Sequence, residues 1–240
     1  MKTLSRTVIL FAALAAPATA LVGCAPDADA DLDIDSLPLY SADDEKADST
    51  SSTQVAWVRP LPGPIACIIP PCPTAEVRTV NSSTVEPIYR FDWRGMKLTA
   101  QQVKDAEAQR GNMLISGKRT TATAYGQKVT VLQVSRASVQ VSDKSSDNFD
   151  SDRYYSVKSN STVCVMDPCP TLTARPLGQT TAPSQWTGVD LKRLEISQGQ
   201  SATLMNEIKA GTVYLSVTSA QNQVAQVSQA FRPFLAPPLR

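Results

Sequence analysis

The chain contains no histidine. That excludes Ser-His-Asp and Cys-His nucleophile pairs, histidine-based zinc sites and the two-histidine iron triad. With 10 Gly in all, no phosphate-cradling glycine loop occurs. Aromatics make up 6% and charged residues 19%, a lean and rather polar mixture. No apolar run reaches the ~20 residues of a spanning helix. The longest, from Val8 to Gly23, is interrupted by Pro17. Hydrophobic residues still account for 42% of 240 residues, enough for one or two packed domains.

That run suits a secretory signal over 1–23. Lys2 and Arg6 supply the positive n-region, and small residues end the apolar segment. Ala18-Thr19-Ala20 offers an ordinary cleavage site, whereas Leu21-Val22-Gly23-Cys24 reads as a lipobox, with Cys24 as the acylated first residue of the mature chain. Residues 24–54 read as a lipidated cysteine followed by a disordered tether. Nine acids (Asp27, Asp29, Asp31, Asp33, Asp35, Asp43, Asp44, Glu45 and Asp48) face Lys46 alone, and such charge extends a chain. The tract has neither the turn glycine nor the closing glutamate of a calcium loop. Residues 55–240 then carry 20 bases against 13 acids: a mildly basic body on an acidic strap. The expected setting is extracytoplasmic, held to a membrane through Cys24, at the outer membrane or cell surface rather than the inner membrane.

Self-similarity organises the body. Cys67-Ile-Ile-Pro-Pro-Cys72-Pro73 matches Cys164-Val-Met-Asp-Pro-Cys169-Pro170, and Val131-Leu-Gln-Val-Ser-Arg-Ala137 matches Val224-Ala-Gln-Val-Ser-Gln-Ala230 at five of seven positions. These matches predict repeat domains over 55–141 and 154–235, a linker over 142–153 and a tail over 236–240. Strands are expected at Gln54–Arg59 and Tyr154–Lys158, at Ala75–Val80 and Leu172–Arg175, and at Pro87–Trp93. Thr99-x-x-Gln102 and Ser197-x-x-Gln200 are capping boxes that open a helix in each copy, and Gly111 and Gly211 are expected to close those helices. Strands Met113–Ser116 and Val213–Val217 follow. A turn comes next, long over Gly117–Lys128 and short at Gln221-Asn222-Gln223, before a closing strand. The expectation is therefore a mainly β protein with one short helix per repeat: two tandem small barrel-like or α+β domains in β-β-β-α-β-β order, which is also the order of an OB barrel.

Beyond the inner membrane thiols meet an oxidising compartment. The repeated Cys-x4-Cys spacing favours local disulfides Cys67–Cys72 and Cys164–Cys169. A four-cysteine zinc site is the alternative that reduced thiols would allow. No other metal and no cofactor is expected.

Cys-x4-Cys, a strand, an x-Asp-x segment, a short capped helix, an apolar strand and a closing V-x-x-V-S-x-A strand together resemble a domain of unknown function from bacterial secreted proteins and lipoproteins. The resemblance covers 55–141 and 154–232 and implies no activity.

Catalytic candidates are sparse. Asp92 and Asp190 occupy equivalent positions, but one carboxylate per repeat is more naturally a turn residue than half of an acid-base pair. Ser116-Gly-Lys118 sets a hydroxyl near an amine, yet the second copy reads Ser216-Val-Thr218. Asn81-Ser-Ser and Asn160-Ser-Thr match glycosylation sequons, and Trp57, Trp93 and Trp186 are either core residues or stacking platforms. The expectation is a non-enzymatic structural or protein-interaction module. The alternative is a binding module whose basic face takes an anionic envelope polymer (polysaccharide, lipid head group or extracellular nucleic acid), with no intracellular nucleic-acid role.

Overall fold

A computed structural model describes residues 55–61, 67–142, 152–160 and 169–235. The signal, Cys24, the acidic tether, most of the linker, Cys164 and the C-terminal tail lie outside the described residues. Among the described residues the architecture is mainly antiparallel β with two α-helices. The first half comprises β1 (Val55–Pro60), β2 (Ala75–Thr79), β3 (Val85–Ile88), β4 (Arg90–Asp92), α1 (Ala100–Gln109), β5 (Met113–Ala124) and β6 (Gln127–Gln140). The second half runs in the same succession: β7 (Arg153–Ser159), β8 (Leu172–Pro176), β9 (Ser184–Trp186), β10 (Gly188–Asp190), α2 (Gln198–Ala210), β11 (Tyr214–Gln221) and β12 (Val224–Pro233).

Along the sheet the order is β3-β2-β1-β5-β6-β12-β11-β7-β8-β9. Two short strands pair off this path, β4 parallel to β6 and β10 parallel to β12. The halves therefore meet edge to edge, through Phe231 opposite Gln140, Arg232 opposite Val139 and Pro233 opposite Ser138. Each half keeps its own apolar cluster. Val58, Val77, Ile88, Met113 and Leu132 lie in the first, and Val157, Leu172, Leu204, Ile208 and Val227 in the second. A third cluster, with Val80, Leu114, Tyr154, Leu177 and Phe231, fills the junction.

Both helices start as their sequences dictate. Thr99 and Ser197 accept from the backbone N–H of Gln102 and Gln200, whose side-chain carbonyls accept from the cap N–H in return. They end differently. Gly211 takes a left-handed φ of 76° and its N–H reaches the Glu207 and Ile208 carbonyls, whereas α1 tightens into a 3-10 turn over Arg110–Asn112 that contains Gly111. Gly111 is thus not the left-handed cap that its position in the sequence suggests.

The long turn expected over Gly117–Lys128 is a strand for most of its length. β5 and β6 pair in register out to Ala124 and Gln127, leaving Tyr125-Gly126 as the turn. Thr120, Thr121 and Thr123 supply the β-branched side chains that a two-sided polar strand favours. The Arg119 guanidinium fixes this extension to the first half by an ion pair with Glu86 and a hydrogen bond to Thr79 Oγ1 (2.9 Å). Both hairpins close on two residues of positive φ, Tyr125 and Gly126 (50° and 74°) and Asn222 and Gln223 (50° and 62°), the signs of a type I′ turn.

The repeated Val-Ser-x-Ala motif has a structural reason. Each copy lies opposite a register shift, after Ser116 in β5 and after Ser216 in β11. Ser135 Oγ donates to the Ser116 carbonyl (3.0 Å), and Ser228 Oγ lies 3.1 Å from the Ser216 carbonyl. At the first bulge the backbone runs so close to Gly117 that a Cβ would sit 2.4 Å from the Gln133 carbonyl oxygen, which only glycine tolerates.

Candidate functional site

Where the halves meet, a cleft of about 370 Å3 opens between β1, the β2–β3 turn and the start of β7. Arg59, Arg78, Asn81, Ser82, Asp152 and Arg153 are among its lining residues. Its polar groups come from both halves, and long-range packing sets their positions.

Arg59 forms the floor and is 3% exposed. It occupies the β1 position after Val58, paired with Arg78 of β2, and its side chain reaches across to the other half. Its Nη1 donates to the Tyr154 hydroxyl (3.0 Å) and to Gln229 Oε1, its Nη2 to Gln140 Oε1 (3.3 Å), and the guanidinium lies 5.2 Å from the centre of the Phe231 ring. Burial pulls the guanidinium below its ordinary pKa, opposed by Tyr154 and Asp152.

Asn81 is the clamp at the rim. Its φ of 58° lies in the left-handed region that Asn tolerates better than most residues. The side-chain Nδ2 donates to the carbonyls of Tyr154 and Leu177 (2.9 Å each), and Oδ1 accepts from the Tyr154 N–H (2.8 Å). At the cysteine offset of 97, the second half has Gly178 with φ 68°. The left-handed turn is thus common to both halves, while the amide that grips the neighbour belongs to one.

Asp152 is buried at 6% exposure. Ser216 Oγ donates to its Oδ2 at 2.8 Å, and Ser228 Oγ lies 2.5 Å from the same oxygen. These residues hold the start of β7 onto β11 and β12.

The residues singled out in the sequence are placed elsewhere. Asp92 accepts from the Arg94 backbone N–H (3.1 Å) and, bidentately, from its guanidinium (2.9 and 2.6 Å). Those hydrogen bonds hold the carboxyl below its ordinary pKa. Asp190 accepts from the Lys192 N–H (3.0 Å). Both carboxylates steady the turn before a 3-10 segment. Ser116 is buried in β5 under β1, with Lys118 two residues further along the strand. Trp93 and Trp186 lie in the cores of their halves, and the Trp57 ring stacks edge-on against Tyr214 at the junction (4.6 Å). Cys67 and Cys72 are joined in a disulfide. Cys169 is disulfide-bonded too, to a cysteine outside the described residues, so these thiols are not available to zinc. Among the described residues no group of three or more His, Cys, Asp or Glu is arranged to hold a metal. No helix among them is long and apolar enough to cross a membrane.

A second, shallower groove of about 890 Å3 lies along α2, with Leu191, Ile196 and Met205 in its lining. In the first half Trp93 and Glu107 stand where Leu191 and Met205 stand here, counting from the capping boxes, and Trp93 Nε1 donates to Glu107 Oε1 (2.6 Å).

A family model described as a domain of unknown function, DUF6748, matches residues 87–236 as one continuous stretch. The chain belongs to this family. The match runs through both halves and across the junction between them, so the family pattern includes β6, β12 and the start of β7 together. No curated protein and no solved structure gives a significant match to the chain. Arg59 and Asn81 both precede the matched stretch. Their only sequence signals are an arginine within an apolar strand and an asparagine where the other copy has glycine.

Proposed function

We propose that the protein is a lipid-anchored, non-enzymatic interaction module of the cell envelope, built from two tandem OB-type barrels that work as one body. The barrel reading is supported by the strand pairings. β1 pairs with β2, β2 with β3, β4 with β6, β6 with β5 and β5 with β1, and only Tyr89 separates β3 from β4. With α1 between the third and fourth strands, counting β3 and β4 as one bent strand, this is the OB circuit. The pairings β7–β8, β8–β9, β10–β12, β12–β11 and β11–β7 follow the same plan. The anchor follows from the lipobox and Cys24.

The observation that carries an interaction role is the junction cleft, whose walls carry guanidinium and hydroxyl groups drawn from both halves. The anchor is tested by the intact mass of protein extracted from membranes. A mass beginning at Cys24 with diacylglycerol attached, rising by about 4 Da on reduction of two disulfides, is the expected result. An unlipidated mass beginning near Leu21 would overturn it.

A second reading, recognition of an anionic envelope polymer, is favoured by the three arginines lining that cleft against the single Asp152. Arg153 is exposed at its edge. A polyanion such as heparin is expected to bind at low salt and to weaken steadily as salt rises, with Arg153→Glu binding more weakly than the unmodified chain. Salt-independent binding, or unchanged affinity in the variant, removes this reading.

A further inference from the structure

The Cys67–Cys72 disulfide closes a loop of four residues, Ile68, Ile69, Pro70 and Pro71, whose ends are 5.6 Å apart at Cα. Ile68 is 95% exposed and Ile69 76%. Isoleucine is among the residues most often fully buried, and a loop this short, closed covalently at its base, has no freedom to fold the pair back onto the core. The disulfide therefore holds an apolar tip in water.

Three further features describe what such a tip suits. No charged residue occurs from Leu61 through Ala75. Pro70, Pro71 and Pro73 carry no backbone N–H, so the tip brings few unsatisfied donors into a medium without water, where each one is costly. The half that bears it, residues 55–142, carries eleven Lys and Arg against five Asp and Glu, a net excess that favours an anionic surface. An apolar insertion backed by positive charge is the two-signal combination that holds a peripheral protein to a bilayer. The corresponding loop of the second half reads Val165-Met166-Asp167-Pro168. Its Asp167 puts a carboxylate where the first loop has proline, and residues 152–235 carry a smaller basic excess, seven against five.

We propose that the Cys67–Cys72 loop is a membrane-docking tip, inserting Ile68 and Ile69 to the boundary between head groups and acyl chains of the bilayer that bears the anchor. In its biological setting this rests on the lipid-anchored reading above. The binding itself does not, because it belongs to the folded body.

The test uses the full chain from residue 24 with Cys24→Ser, produced without lipid, and phosphatidylcholine vesicles with and without phosphatidylglycerol. The unlipidated protein is expected to co-sediment with vesicles, more strongly with the anionic lipid. Ile68→Asp with Ile69→Asp is expected to lower the partition coefficient more than about tenfold, since the two largest apolar contributions are removed. Val165→Asp with Met166→Asp is expected to leave it nearly unchanged. Ile69→Trp is expected to add an emission that shifts to the blue on adding vesicles. Thermal unfolding serves as the folding control for both variants, and at the exposed Ile68 and Ile69 the midpoint should hold. Failure of the unlipidated chain to bind either vesicle, or equal binding by the Ile68→Asp/Ile69→Asp protein, overturns the proposal. Either result leaves the anchor to be decided by the intact mass alone.

Discussion

Replacing Arg59 by methionine is expected to cost about 3–5 kcal/mol of stability, the range found when one partner of a buried charged network is removed. The guanidinium bonds Tyr154, Gln229 and Gln140 and faces Phe231. Methionine fills much of the volume but satisfies none of these groups, and Gln229 is fully buried. The loss of positive charge also removes the attraction between this guanidinium and Asp152 across the junction. Urea unfolding at neutral pH reads the effect as a fall in the midpoint with little change in slope. Arg59→Lys should recover only part of the loss, because one ammonium does not reproduce the planar fork that reaches three acceptors. A methionine variant within about 1 kcal/mol of the parent would show that Arg59 is a tolerated passenger rather than the tie between halves.

Asn81 gives the second large effect, in two separable parts. Asn81→Ala loses three hydrogen bonds to the other half, and alanine must hold a left-handed backbone that costs roughly 1–2 kcal/mol. With each net hydrogen bond worth about 1 kcal/mol, the expected loss is about 4 kcal/mol. Asn81→Gly keeps the backbone without strain and loses only the amide, so it should retain part of that stability. Asn81→Asp keeps an acceptor for the Tyr154 N–H but turns a carboxylate toward the carbonyls of Tyr154 and Leu177, and should be no better than glycine. Faster hydrogen exchange at the Tyr154 amide is expected in the Ala and Gly variants. Equal stability of glycine, alanine and parent would remove the clamp.

Local signals were legible in the sequence where they act within a few residues. The capping boxes at Thr99 and Ser197 need only a hydroxyl, a glutamine and three residues of spacing, and both are formed. Gly211 closes its helix for the same reason, whereas Gly111 sits inside the 3-10 turn into which α1 tightens. The extended hairpin is not legible locally, because Lys118, Arg119 and the threonines have the polarity of a solvated turn. Their strand is held from outside, by the Arg119 tie to Glu86 and Thr79. The junction lay beyond local reading altogether. Arg59 and Gln229 are 170 positions apart, and no periodicity in either strand marks which of its residues will face the other half. Asn81 attracted notice only as a sequon, since the partners that give it meaning are 73 and 96 positions away.

The single-chain union of the halves has a consequence for what chemistry the junction tolerates. In a two-fold homodimer each residue near the axis meets its own copy, so a buried arginine there would confront a second arginine, and any substitution would be made twice. Here the position 97 residues after Arg59 is Ser156, and the one after Asn81 is Gly178. One side can present a cation and an amide while the other offers a hydroxyl and a bare backbone. Covalent linkage thus releases the seam from self-complementarity, and a buried charge without a symmetry-related copy becomes admissible where symmetry would have forbidden it.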